Sequence, residues 1–202
     1  LEREAAELEE VEQLADDRGL TNLRCTVCDV YDLNYADASF DVVHAHQVLQ
    51  HLVDPVSALR EMRRVTRPGG VVAARDADYA AMTWYPAEPR LDRWRELYRA
   101  VARANGGEPD AGRRLLAWAG EAGFSEIEPS ASTWLFADVT RLGWWSETWA
   151  QRTMASAVAK RALEDGRASA EELASIAAGW RAWARRPGAW FSVLHGEILA
   201  TP

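Results

Sequence analysis

Apolar residues recur at helical spacing from the start of the chain. Leu8, Val11, Leu14 and Ala15 predict an acidic helix over Leu1–Arg18, with Gly19 as its stop. The period then falls to two in NLRCTVCDV, where Leu23, Cys25 and Val27 share one side and predict a short strand ending near Asp29. SFDVVHAH predicts a second strand. Asp54 and Pro55 follow as helix cap and first helical residue, Val56, Leu59, Met62 and Val65 keep helical phase, and Pro68, Gly69 and Gly70 are expected to end that helix. The small apolar run VVAARDA predicts a buried strand. Beyond it the pattern predicts helices over about Pro89–Ala104 and Asp110–Ala122, then a strand over Glu126–Phe136. Two more helices, about Val139–Glu164 and Ala170–Arg185, precede a last strand in AWFSVLHGEILA.

Helix, strand, strand, helix, strand is the rhythm of a doubly wound α/β sheet. With no internal repeat and no low-complexity linker, residues 1–202 are expected to form one domain with a helical insertion before the last strand. Ten tryptophans and 48% hydrophobic residues fit a packed globule. A net charge of −8 argues against a nucleic-acid surface, which needs a basic stripe to displace phosphate counterions. No apolar run approaches the roughly 18 residues of a membrane helix, and two cysteines make no disulfide framework. A cytoplasmic protein is the expectation.

The stretch FDVVHAHQVLQHLVDP concentrates candidate chemistry, with His44, His46 and His51 in an otherwise apolar run. With Cys25 and Cys28, the first two histidines make a zinc set by residue type. The spacing is poor: residues three apart on a strand point to opposite faces, and no glycine supplies a knuckle turn. Two buried strand cysteines and no metal are the expectation. His44 and His46 share one strand face, with a core position expected for His44, while His51 falls in the turn before the helix.

Three stretches, CDVYDLNYADASFDVV, HAHQVLQHLVDPVSALREMRRVTRPGG and VVAARDADY, resemble the class I S-adenosylmethionine-dependent methyltransferases, especially the small-molecule group similar to quinone-biosynthesis enzymes. The resemblance implies a Rossmann-like sheet with S-adenosylmethionine as cofactor. Asp29 would face the adenine amino group and the Val30 backbone a ring nitrogen. His46, Gln47 and Val48 would leave the sheet at the methionine end, with His51 beside them, and Arg67–Gly70 would form the turn into the next strand. The family's glycine-rich loop and ribose-binding carboxylate have no match in the chain. The resemblance therefore implies an N-terminally truncated sheet, with 1–78 a partial cofactor-binding core and 79–202 the acceptor-side helices and C-terminal strands. Such a fragment of a longer enzyme is expected to bind the cofactor weakly or not at all.

On the acceptor side, Tyr79, Trp84 and Tyr85 follow the strand VVAARDA and would give aromatic walls to a small, apolar or planar acceptor. Trp144, Trp145 and Trp149 would close over them as a lid or simply pack helices together. No catalytic residue is assigned; His46, Asp78 and Tyr79 are the candidates for removing an acceptor proton. The alternatives are a non-catalytic scaffold for dimerisation or ligand binding, and a zinc module.

Overall fold

A computed structural model describes residues 11–202 of the chain. Residues 11–17 are helical and Gly19, at φ +67°, follows as the left-handed stop, with Leu20 N donating to Ala15 O at 2.9 Å. The first ten positions of that expected helix, Leu8 included, lie outside the described residues.

Five strands and six helices follow: β1 Phe40–His46, α1 Pro55–Val65, β2 Thr66–Ala77, β3 Thr83–Tyr85, α2 Pro89–Ala104, α3 Leu115–Ala122, β4 Glu126–Phe136, α4 Val139–Ala155, α5 Ala157–Glu164, α6 Ala170–Trp183 and β5 Trp190–Thr201. β1 pairs with β2 in parallel, as a crossover through α1 requires. β5 returns antiparallel to β2 and also carries β3 and β4, so it is the spine of the sheet.

Each face of the sheet has its own core. Ala45, Val72, Ala74, Ile198 and Ala200 pack on Leu59 and Met62 of α1 and on Leu115 and Ala119 of α3. On the opposite face, Phe136, Phe191 and Val193 meet the tryptophan-rich helices α2, α4 and α6. That second layer covers only one end of its face: at the other end Val42 and Leu199 are half or more exposed.

Several expectations are corrected. NLRCTVCDV forms no strand, because no neighbouring strand offers it a hydrogen-bonding ladder; it contributes one bridge, Asp29 to Asp32. Cys25 is accordingly half-buried and Cys28 exposed, neither in a strand. His44 is exposed on the uncovered end of the sheet rather than in a core. α1 ends at Val65 before the glycines are reached, and Arg67–Gly70 form a bulge in β2, where the register jumps from Phe40 opposite Thr66 to Val42 opposite Val71. Ala111–Arg114 is a 3-10 turn ahead of the short α3. Ser156 divides the long expected helix: its extended backbone ends α4 and its hydroxyl caps α5 through Ala159 N. Among the described residues, no helix is long and apolar enough to cross a membrane.

Candidate functional site

The chain leaves β1 at Gln47, whose φ of +58° is rare for a residue with a Cβ. Such backbone costs of order 1–3 kcal/mol and persists where several contacts hold it. Here Gln47 N donates to Arg75 O at 2.8 Å, its Nε2 meets His195 Nε2 at 2.9 Å, and its Oε1 accepts from Gln50 Nε2 at 2.6 Å. The end of β1 is thereby tied to β2 and to the middle of β5 around one strained residue. His195 is fully buried, and burial with the nearby Arg75 charge holds its pKa down to about 4, so the ring is neutral at pH 7.

His46 stands one residue earlier and is exposed. Arg75 Nη1 donates to its Nε2 at 2.9 Å, while the same guanidinium bonds Glu197 at 2.8 Å and lies 4.9 Å from the Trp134 ring centre. Desolvation, Arg75 and His44 all lower the His46 pKa, so the ring stays neutral and its only lone pair is spent on Arg75. Asp78 has both oxygens on Arg113, at 2.6 and 2.7 Å, and also caps the turn Tyr79–Ala81. Burial pushes the Tyr79 phenol well above its usual value. All three proton-acceptor candidates are thus engaged or protonated.

The other expected cofactor residues gather at this end. Asp29 is exposed and accepts from Tyr31 N at 2.9 Å, and Val30 packs against the α1-side core. Asp54 N donates to Tyr31 Oη at 3.2 Å, which brings the Asp29–Val30 segment beside the turn carrying Val48 and His51. Arg64 fastens the following loop through Leu33 O and Tyr35 O, both at 2.9 Å.

Asp76 ends β2 fully buried and accepts from Gln50 N at 3.1 Å; its Oδ2 and Gln50 Oε1 have no partner among the described residues. These unspent acceptors beside the carboxyl ends of the strands fit a ligand bringing N–H donors, as the amino-acid end of S-adenosylmethionine does. Burial pushes the Asp76 pKa to about 7. Because the folded value lies above the unfolded one, stability falls as pH rises from about 4 through 7 and the penalty is complete above that, of order 2–4 kcal/mol. Asp76→Asn is therefore expected to raise the urea midpoint most at pH 8, less than half as much at pH 5 and hardly at all near pH 3. A change in midpoint that is the same at pH 8 and pH 3 would show that the carboxyl is not a buried acid.

The expected acceptor residues are placed apart. Tyr79 is buried and stacks on Tyr98 at 4.3 Å. Trp84 lies between Phe191, stacked at 5.4 Å, and the Arg95 guanidinium, 4.7 Å from its ring centre. Tyr85 is exposed. None lines the aromatic cavity of the helical layer, which Trp94, Tyr98 and Trp149 wall between α2, α4, α5 and α6. Trp145 and Trp149 are core residues, while Trp144 is 61% exposed. Sequence reasoning passed over Arg75, Asp76, His195 and Glu197. Their signal was charge inside strands: the RD of VVAARDA and the HGE of the last strand. Among the described residues, no group of three or more His, Cys, Asp or Glu side chains is arranged to hold a metal.

A family model described as a methyltransferase domain matches residues 1–74. The uncharacterized methyltransferase C1B3.06c of Schizosaccharomyces pombe is 37% identical over 185 residues, covering 89% of this chain, and the chain spans less than two thirds of that relative's length, 64%. The ubiquinone/menaquinone biosynthesis C-methyltransferase UbiE of Bdellovibrio bacteriovorus is 50% identical over 58 residues, 29% of this chain and 24% of its own. In fold, the crystal structure of the YcgJ protein from Bacillus subtilis superposes with a TM-score of 0.57 at 17% identity, over 96% of this chain and 77% of that one. By these matches the chain is similar in sequence to the class I S-adenosylmethionine-dependent methyltransferases.

Proposed function

We propose that the protein transfers a methyl group from S-adenosylmethionine to a small apolar or aromatic acceptor. Asp29, Val30, His46, Gln47, Val48 and His51 form the cofactor side in this reading; Tyr79, Trp84 and Tyr85 belong to the acceptor side. The observation that carries it is the strained Gln47 turn at the strand ends, held by His195 and Gln50 next to two unspent buried acceptors. When bound, the sulfonium supplies an activated methyl group that departs by direct displacement, leaving the electron pair on sulfur. The chain's own task is then to align the partners and keep water out, since acid/base work is slight. The engagement of His46, Asp78 and Tyr79 accords with that, and an acceptor that is ionised or easily ionised suits the site best. Tyr79 supports the aromatic cavity from behind through Tyr98, while Trp84 and Tyr85 border the neighbouring end of β5.

Methyl-labelled S-adenosylmethionine incubated with the protein and a panel of phenols, aromatic acids and amines tests the proposal. Labelled product with stoichiometric S-adenosylhomocysteine is expected. Saturable cofactor binding without transfer to any member of the panel would favour a ligand-binding scaffold instead.

A further inference from the structure

The cavity between α2, α4, α5 and α6 has a volume of about 180 Å³. Trp94, Tyr98 and Trp149 line it, and Leu97, Val158 and Leu173 add aliphatic surface. An apolar cavity of about 150 Å³ holds benzene, so this one admits a single ring with a small substituent.

Arg152 is the single charged side chain of the lining. Its guanidinium carbon lies 5.5 Å from the Trp149 ring centre, so one face of the group rests on the indole. Arg99 and Arg103 of the adjacent α2 are both paired, at 2.6 Å, with Asp110. Arg152, in contrast, has neither an ion pair nor a hydrogen-bond acceptor among the described residues, so its N–H edges are unspent. Ser156 Oγ accepts from Ala159 N at 3.2 Å, which leaves the hydroxyl proton available to a ligand at the same rim.

An apolar slot for one ring with one cation and one hydroxyl donor at its mouth is a chemical description of what it takes. We propose that this cavity binds a single-ring aromatic carboxylate, with the ring against Trp94 and Trp149 and the carboxylate on Arg152. A guanidinium fork matches a carboxylate in two parallel hydrogen bonds, whereas a phosphate monoester would bring a second charge that nothing else in the lining offsets. The inference rests on the acceptor-side reading of the helical layer and names the class of ligand that layer takes.

Calorimetric titration of the full chain, without cofactor, separates the two ideas. Benzoate is expected to bind saturably, benzyl alcohol roughly tenfold more weakly for lack of the charge-assisted bonds, and acetate not at all. Arg152→Gln is expected to bring benzoate down to the level of benzyl alcohol and leave benzyl alcohol unchanged. Arg152 is exposed and outside any buried network, so the variant should fold, which its circular dichroism and melting curve would verify. Equal binding of benzoate and benzyl alcohol, no binding of either, or an Arg152→Gln variant that keeps full benzoate affinity would each overturn the proposal. Benzoate binding without methyl transfer to any acceptor would sink the transferase reading alone; methyl transfer without benzoate binding would sink this one alone.

Discussion

Trp180→Ala is expected to lower folding stability by about 3–5 kcal/mol, the range for emptying a packed aromatic position. Trp180 is fully buried in α6 and its ring touches four others: Trp94 at 4.9 Å, Phe191 at 5.4 Å, Trp183 at 5.9 Å and Trp149 at 6.4 Å. Those four come from α2, β5, α6 and α4, so the indole is where the helical layer is joined to the sheet. Its Nε1 makes no hydrogen bond among the described residues, so the loss is one of packing and apolar burial, with no acceptor left stranded. Urea denaturation followed by far-ultraviolet circular dichroism checks the value. A cost below about 1 kcal/mol would mean that the layer collapses into the space, which rigid interlocking of four rings does not allow. Trp94 and Trp149 also wall the cavity, so the same variant should weaken any ligand bound there.

Gly196→Ala should be comparably damaging, at about 3 kcal/mol or more, the upper end of what overpacking costs. A Cβ on Gly196 would overlap the carbonyl of Gly112, and one on Gly112 would sit 2.7 Å from both Asp76 O and Gly196 N. Neither glycine has a positive φ; close approach of backbone to backbone is the requirement. The 3-10 turn Ala111–Arg114 lies directly on β5 and β2 at this point, and it carries Arg113 to Asp78. Pushing the turn away would release that pair and expose the stretch of β2 and β5 where Asp76 and His195 are buried. Gly143→Ala is the control: it sits in α4 with open space around it, so gaining about 0.5–1 kcal/mol of helix propensity is expected. Equal melting temperatures for the Gly196 and Gly143 variants would remove the close-approach argument.

The elements with a strong period and a cap were legible along the chain. Glu126–Phe136 and Pro89–Ala104 fall where alternation and helical spacing put them, and Asp54 with Pro55 starts α1 as its cap and first residue. NLRCTVCDV has as good an alternation as any strand here and is not one, since a strand is stabilised by the neighbour it bonds to. His44 alternates correctly with Ala45, but which face of a sheet is covered depends on helices elsewhere in the chain.

The same division runs through the candidate site. His46, Gln47, Val48 and His51 fall within six consecutive positions, so the sequence by itself determined that they share one turn, and its cap and apolar phases determined where that turn gives way to a helix. Arg75, His195 and Glu197 come from strands up to 150 positions away from Gln47, and nothing local announces that an arginine in β2 takes the lone pair of His46 or that a histidine in β5 holds Gln47 in a left-handed conformation. Those pairings are settled by strand register, and register is set by which residues the two cores bury on either side of β5. Local spacing and caps thus determined the elements and the turn. The tertiary structure alone decided which of its side chains are spent, which are buried and which remain open to a ligand, because burial and hydrogen-bond saturation depend on every neighbour at once.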